Sequence, residues 1–235
     1  MPVAAISDIH GNLPALQAVL ADIVREDVDG IVVVGDSVSG PWPAEVFDAL
    51  RDVDALIVRG NADRLVAVRA FSDEQADWNE KRLGGDRLAV VTEWPLTLDL
   101  EIDGLGRVLF CHSTPTSDEP IYTRDTPDAE IVAIFDQVDA DVVVCGHTHM
   151  QYDRRLSSGL RVVNSGSVGM PYEGRRGAFW ALLGPDVEHR HSEYDVEHAV
   201  ERIHELRGPE WQLELLLEPR DPDETTAYFE TLRAS

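Results

Sequence analysis

Short apolar runs alternating with segments of helical spacing constrain the fold of this chain more than any other feature. Val3 to Ile6 is a strand-sized run that ends at Ser7-Asp8. Pro14 to Glu26 then carries Leu16, Val19, Leu20 and Ile23 at helical intervals, with Pro14 suited to a first turn. Ile31 to Val34 is a second strand, closed by Gly35-Asp36, and a helix is predicted over Ala44 to Leu50. Ala55 to Val58 is a third strand, followed by Arg59-Gly60-Asn61. A β–α–β–α–β rhythm of this kind predicts an α/β fold with a parallel sheet covered by helices.

The remainder mixes both element types. Arg64 to Val91 reads as helical with a break at Gly84-Gly85. Leu96 to Ile102 and Val108 to Phe110 read as strands joined at Asp103-Gly104, and residues 114–127 as a polar loop. A helix is predicted over Asp128 to Gln137. Strands are predicted at Val142 to Cys145, Leu160 to Val163, Ala178 to Leu183 and Val187 to His191. Helices over Val196 to Arg207 and Asp223 to Leu232 are separated by Gly208-Pro209. No linker divides the chain. The reading is one domain over residues 1–235, with 64–91 and 114–127 as cap or loop elements and 195–235 as C-terminal helices.

Charge narrows the partners. Against 44 acidic residues stand 20 basic ones, a net charge of −24. Such a surface repels polyanions and anionic membranes, so a small-molecule substrate is expected and nucleic acid is not. No apolar run approaches the roughly 20 residues of a membrane span. Met1 to His10 lacks the form of a signal peptide, and the two cysteines, Cys111 and Cys145, make no disulfide framework. A cytoplasmic location is expected, and a homo-oligomer is left open.

Chemistry concentrates just past the strand-like runs. Asp8 and His10, Asp36, Asn61, His112, and His147 with His149 each follow one of five runs, with Gly11, Gly35, Gly60 and Gly146 beside them. In α/β sheets ligands bind beyond the carboxyl ends of strands. Five distant segments therefore deliver metal-ligand types to one edge. If the i, i+2 pairs are extended, Asp8 and His10 point the same way, as do His147 and His149. Carboxylate, imidazole and amide oxygen together suit Mn, Fe, Zn or Ni better than Ca.

The fragments Asp8-Ile9-His10-Gly11-Asn12, Gly35-Asp36, Gly60-Asn61, His112 and Gly146-His147-Thr148-His149 resemble the calcineurin-like metallophosphoesterases over Val3 to about Leu183. Ser7 to Leu20 and Val163 to Gly169 resemble the small bacterial and archaeal phosphodiesterase branch. The resemblance implies a four-layer α/β/β/α sandwich. It implies two divalent metal ions, Mn first, with Fe, Zn, Ni or Mg as the other candidates. Asp8, His10, Asp36 and His149 would hold one ion. Asp36, Asn61, His112 and His147 would hold the other, with Asp36 bridging. Asp36 and His112 are the catalytic candidates in that set. A hydroxide between ions about 3.5–4 Å apart would attack phosphorus. The implied function is a phosphodiesterase acting on a small phosphorylated substrate such as a nucleotide or nucleoside polyphosphate. The alternatives are a phosphomonoesterase or phosphoprotein phosphatase, or a non-catalytic metal-binding scaffold.

One position departs from the family. Where many members carry His after Gly-Asn, this chain has Ala62, then Asp63. General-acid help of about 10²–10⁴-fold is therefore missing or comes from elsewhere. Substrates whose leaving groups depart as anions, such as phenols or nucleoside phosphates, are expected to be preferred. Asp63, without a histidine to orient, is read as holding Arg64 or a ligand's second nitrogen. Asn12, Arg124, Arg175 and Arg176 are candidate substrate contacts. Trp42 is read as hydrophobic cover, Cys111 and Cys145 as core thiols, and His189, His191, His198 and His204 as solvated.

Overall fold

In the computed structural model, which describes residues 2–207 and 211–233, the opening rhythm is β1 (Val3–Ile6), α1 (Leu13–Ile23), β2 (Gly30–Val34), α2 (Pro43–Asp52) and β3 (Leu56–Val58). Three helices follow: α3 (Asn61–Ala67), α4 (Asp73–Leu83) and α5 (Gly85–Thr92). Then come β4 (Thr97–Ile102), β5 (Gly106–Cys111), α6 (Asp128–Ile134) and β6 (Val142–Cys145). The chain continues through β7 (Tyr152–Arg155), β8 (Arg161–Asn164), β9 (Ala178–Leu183) and β10 (Val187–Ser192). It ends in α7 (Val196–Leu206), α8 (Trp211–Leu217) and α9 (Pro222–Arg233).

The strands form two mixed five-stranded sheets, ordered β10-β9-β1-β2-β3 and β4-β5-β6-β8-β7. The strands that carry candidate ligands run parallel within each sheet: β1 with β2 and β2 with β3, and β5 with β6. Their apolar runs do not alternate because both faces are buried. Val3, Ala5, Val32 and Val34 face Val108, Phe110, Val142 and Val144 between the sheets. Ala4, Ile6, Ile31 and Val33 face the other way, against Leu16, Val19, Val46 and Leu50 of α1 and α2. On the far side Leu109, Val143 and Val162 pack against Ile131 of α6 and Phe135. The order is helix, sheet, sheet, helix.

The differences from the sequence reading have local causes. Residues 64–91 are three helices, not one broken once. The chain reverses at Gly84, whose φ of +77° suits glycine. Strand β7 escapes notice because only Tyr152 is apolar in Tyr152-Asp153-Arg154-Arg155. It is an edge strand carrying charge, a common protection against edge pairing. Helix α8 was also not foreseen, and Gly208-Pro209 lies outside the described residues. Residues 114–127 form the expected loop. Arg154 of β7 fastens it by donating to the carbonyls of Arg124 and Thr126, each at 2.8 Å. Trp42 is buried among Val196, Val200 and Ile203, so it is the cover that α7 packs on.

Candidate metal centre

The turns after β1, β2, β3, β5 and β6 meet where the carboxyl ends of the two sheets converge. The Asp8 amide donates to the Gly35 carbonyl at 3.0 Å and the His10 amide to the Asp36 carbonyl at 2.9 Å, which ties the first two turns together. The His147 amide donates to Asp8 Oδ2 at 3.0 Å and so joins the second sheet to the first. Gly60 and Gly146 are forced by proximity. A Cβ on Gly60 would overlap the Asp36 carboxylate, and one on Gly146 would overlap Ser7 and Asp8.

The backbone at these turns corrects the extended-pair reading. Asp8, His10, Asp36, His147 and His149 have φ of 51°, 46°, 53°, 70° and 59°. Non-glycine residues rarely adopt this left-handed conformation, and it costs of order 1–3 kcal/mol each where the surroundings impose it. The Asp8 and His10 side chains still converge, 3.9 Å apart, but through two left-handed turns rather than through pleat alternation.

Two buried groups result, Asp8 with His10 and His149, and Asp8 with Asp36 and His112. The ligand atoms within each lie within 4.8 Å of one another. His149 Nε2 is 3.2 Å from both Asp8 Oδ1 and His10 Nε2. Asp36 Oδ2 stands between the groups, 3.7 Å from His10 Nε2 and 3.4 Å from His112 Nε2. Asn61 Oδ1 is 3.1 Å from His112 Nε2. His147 is turned differently: its Nε2 lies 3.1 Å from the Glu119 carbonyl, and its ring packs edge-on to His112.

The donor chemistry fits cations. His112 Nδ1 lies 2.8 Å from the Val34 carbonyl and His149 Nδ1 2.7 Å from the Met170 carbonyl. A carbonyl only accepts, so each ring carries its proton on Nδ1, and in neutral imidazole the Nε2 lone pair faces inward. Asp8 Oδ1 is then a buried carboxylate oxygen with no hydrogen-bond donor, a costly state that a cation relieves.

The electrostatics say the same. Burial works against the charge on Asp36, yet the imidazoles of His112, His10 and His147 outweigh it and hold the carboxyl below its ordinary range. Burial equally opposes charge on His112, but the Asp36 carboxylate raises it to about 10. His149 is raised in the same way by Asp8 against its burial. Burial lowers His10 and His147 to about 4, so both stay neutral near pH 7.

Asp63 and His191 depart from expectation. Asp63 holds neither Arg64 nor a ligand nitrogen. Its carboxylate accepts the amides of Ser37, Val38 and Gly60 at 2.8, 3.0 and 3.2 Å. Arg64 instead pairs with Asp118, at 3.0 Å, and with Glu119. The Asn12 amide caps α1 through the Ala15 amide and donates to the Gly169 carbonyl and the Tyr194 hydroxyl, so the fold engages both its ends. Arg124 pairs with Asp223, and Arg176 with Glu197. Arg175 lies over the Phe179 ring. His191 is half-buried against Phe179 rather than solvated, while His189, His198 and His204 are exposed. Cys111 and Cys145 are buried and unpaired with each other, and burial pushes the Cys145 thiol up to about 11.

Several supporting residues carry no strong sequence signal. Asn164 donates to the Gly146 carbonyl at 2.5 Å and to Thr148 at 3.1 Å, which fixes the His147–His149 turn. Ser167 donates to the Asp8 carbonyl at 2.8 Å. Tyr172 stacks on His149, with centroids 4.9 Å apart and planes at 13°. The clue to Asn164 and Ser167 is the Val163–Gly169 segment that resembles the phosphodiesterase branch.

Residues 1–183 match the model of the calcineurin-like phosphoesterase superfamily domain. An uncharacterized protein of Methanocaldococcus jannaschii is 30% identical over 234 residues, covering 89% of this chain and 94% of its own. The structure of a metallophosphoesterase from Sphaerobacter thermophilus is 27% identical with a TM-score of 0.75, covering 93% of this chain and 99% of that one. A hypothetical protein from Pyrococcus horikoshii has the same fold, with a TM-score of 0.82 at 23% identity, covering 94% and 99% of the two chains. Among the described residues no helix is long and apolar enough to cross a membrane.

Proposed function

This chain belongs to the calcineurin-like phosphoesterase superfamily, and on that premise we propose that it is a metal-dependent phosphodiesterase acting on a small phosphorylated substrate such as a nucleotide or nucleoside polyphosphate. The observation that carries the proposal is the position of Asp36 Oδ2, buried between His10 and His112 and adjoining the Asp8–His149 pair. Asp8, His10, Asp36 and His149 would hold one divalent cation, and Asp36, Asn61, His112 and His147 the second, with Mn²⁺ the first choice. Bound cations supply Lewis acidity at the phosphoryl oxygens and activate water for attack.

The chain's own groups then do the positioning. Val34 and Met170 carbonyls orient His112 and His149. The Ala62 amide donates to Asp36 Oδ1 at 2.7 Å and fixes which oxygen faces inward. Ala62 itself is 5% exposed and offers no proton. This favours diesters with good leaving groups over alkyl monoesters. The test compares bis(4-nitrophenyl) phosphate with 4-nitrophenyl phosphate, with Mn²⁺ added, for wild type and Asp36→Asn. Diester hydrolysis lost in the variant supports the proposal. Monoester preference moves the function to a phosphatase. Stoichiometric metal binding with no hydrolysis of either ester by wild type leaves a scaffold.

A further inference from the structure

A cavity of about 470 Å³ opens one ring away from the metal centre, between the Tyr172 turn and the C-terminal helices. Its volume is that of a small-ligand site. Tyr172 belongs to both places. It stacks on His149, and it lines the cavity beside Phe229, Tyr228, Leu215 and Arg220. From Tyr172 the aromatic surface continues to Phe229, with centroids 6.1 Å apart, and from Phe229 to Tyr228 at 6.1 Å. Among the described Phe, Tyr and Trp residues whose exposure is known, Tyr228 alone is largely exposed, at 60%.

We propose that this cavity is a subsite for a nucleobase, so that a nucleoside phosphodiester lies with its phosphate at the metal centre and its base against Tyr228 and Phe229. The proposal rests on the phosphodiesterase reading above and adds where the rest of the substrate goes. A planar heteroaromatic ring matches the wall, since bases stack on aromatic side chains whatever their identity. The rim matches a base's polar edge. Arg220 brings donor groups to the rim and Glu224 an acceptor for exocyclic amino groups, while Asp221 Oδ1 accepts the Asp223 and Glu224 amides at the start of α9. One cation against two carboxylates is the wrong balance for a second phosphate, and this argues against an anion subsite.

The wall is held at a fixed distance from the centre. The buried Thr226 hydroxyl of α9, which donates to the Pro222 carbonyl at 2.7 Å, lies 3.4 Å from the sulfur of Met150, the residue after His149. Glu230 accepts the hydroxyls of Thr123 and Thr126 at 2.6 and 2.5 Å. Arg124–Asp223 and Arg233–Glu130 ion pairs close the same seam. Helix α9 thus docks on the loop that touches His147. It lies beyond the residues that match the superfamily model.

Two diesters with one leaving group isolate the subsite: thymidine 5′-(4-nitrophenyl) phosphate and methyl 4-nitrophenyl phosphate, each with Mn²⁺. The expected ratio of their kcat/KM values favours the nucleoside ester by about five- to a hundredfold, the range of one base–aromatic stack. Tyr228→Ala should collapse that ratio towards one, and Tyr228→Phe should retain it. Because the side chain is exposed, the truncation leaves the core intact. Adenosine is then titrated into metal-stripped protein and followed by saturation-transfer NMR. Binding by wild type that is lost in Tyr228→Ala supports the subsite even if neither diester is hydrolysed, in which case only the phosphodiesterase reading fails. Hydrolysis of both diesters at an equal ratio, unmoved by Tyr228→Ala, overturns the subsite and leaves the phosphodiesterase reading standing.

Discussion

Asp36 and Asp63 brace each other's turns. Asp36 Oδ1 accepts the amide of Ala62, one residue before Asp63, while Asp63 Oδ1 accepts the amide of Ser37, one residue after Asp36. The exchange locks the β2 and β3 turns in register and aims Asp36 at the imidazoles. Asp63→Ala leaves three buried amides without their acceptor. The expected loss is roughly 2–4 kcal/mol of stability, read as a lower urea midpoint. Metal affinity should fall about 10- to 100-fold, as for other groups that orient ligands, measured by titration against a competing chelator.

Cation binding and folding should be linked. At a hundredfold excess over Kd, a ligand that binds only the folded chain adds about 2.7 kcal/mol. For a chain of this size that is a rise in Tm of roughly 5–10 °C. Chelator-stripped protein should show that rise on addition of Mn²⁺. Asp36→Asn should show almost none, because it removes the carboxylate that stands between His10 and His112. An equal rise in both proteins would place the cation elsewhere.

The alanine at position 62 predicts a steep dependence on the leaving group. With no proton donor there, aryl diesters should outrun alkyl diesters by at least the 10²–10⁴-fold that a general acid ordinarily supplies. Log kcat should fall steadily across a series of phenols of rising pKa. A flat plot would mean that another residue protonates the leaving oxygen.

Cys111 and Cys145 are buried at 0% and 1% exposure in the β5 and β6 strands. Neither should react with a chromogenic disulfide reagent in the native protein, and both should react at once in guanidinium. Fast labelling of the native state would show that the outer face of the second sheet opens.

How much of this was legible follows from what a linear pattern encodes. Strand runs that end in Asp, Asn or His announce both the sheet edge and the ligand types, so the centre could be read at Asp8, Asp36 and His112. The pattern says nothing about φ, and the Asp8–His10 and His147–His149 pairs are left-handed where extended backbone was expected. Nor does it reveal a side chain recruited from far away. Asn164 at the end of β8, and Ser167 and Tyr172 after it, support the centre from outside the runs that carry the ligands. Strand β7 was invisible because an edge strand needs charge where a central strand needs valine. Asp63 was misread because its partners are backbone amides, which no sequence motif displays.

The left-handed turns bear on how such a centre can be lost. At Asp8, His10, Asp36, His147 and His149 the main chain alone would be better served by glycine, which bears no Cβ penalty at φ near 50–70°. Selection for folding therefore pulls each position away from the residue it now holds, and a β-branched replacement would be barred. A descendant released from its chemistry would drift towards glycine or asparagine at these five places and keep its sheets. The side chains now present mark a use that the conformation of the main chain alone does not call for.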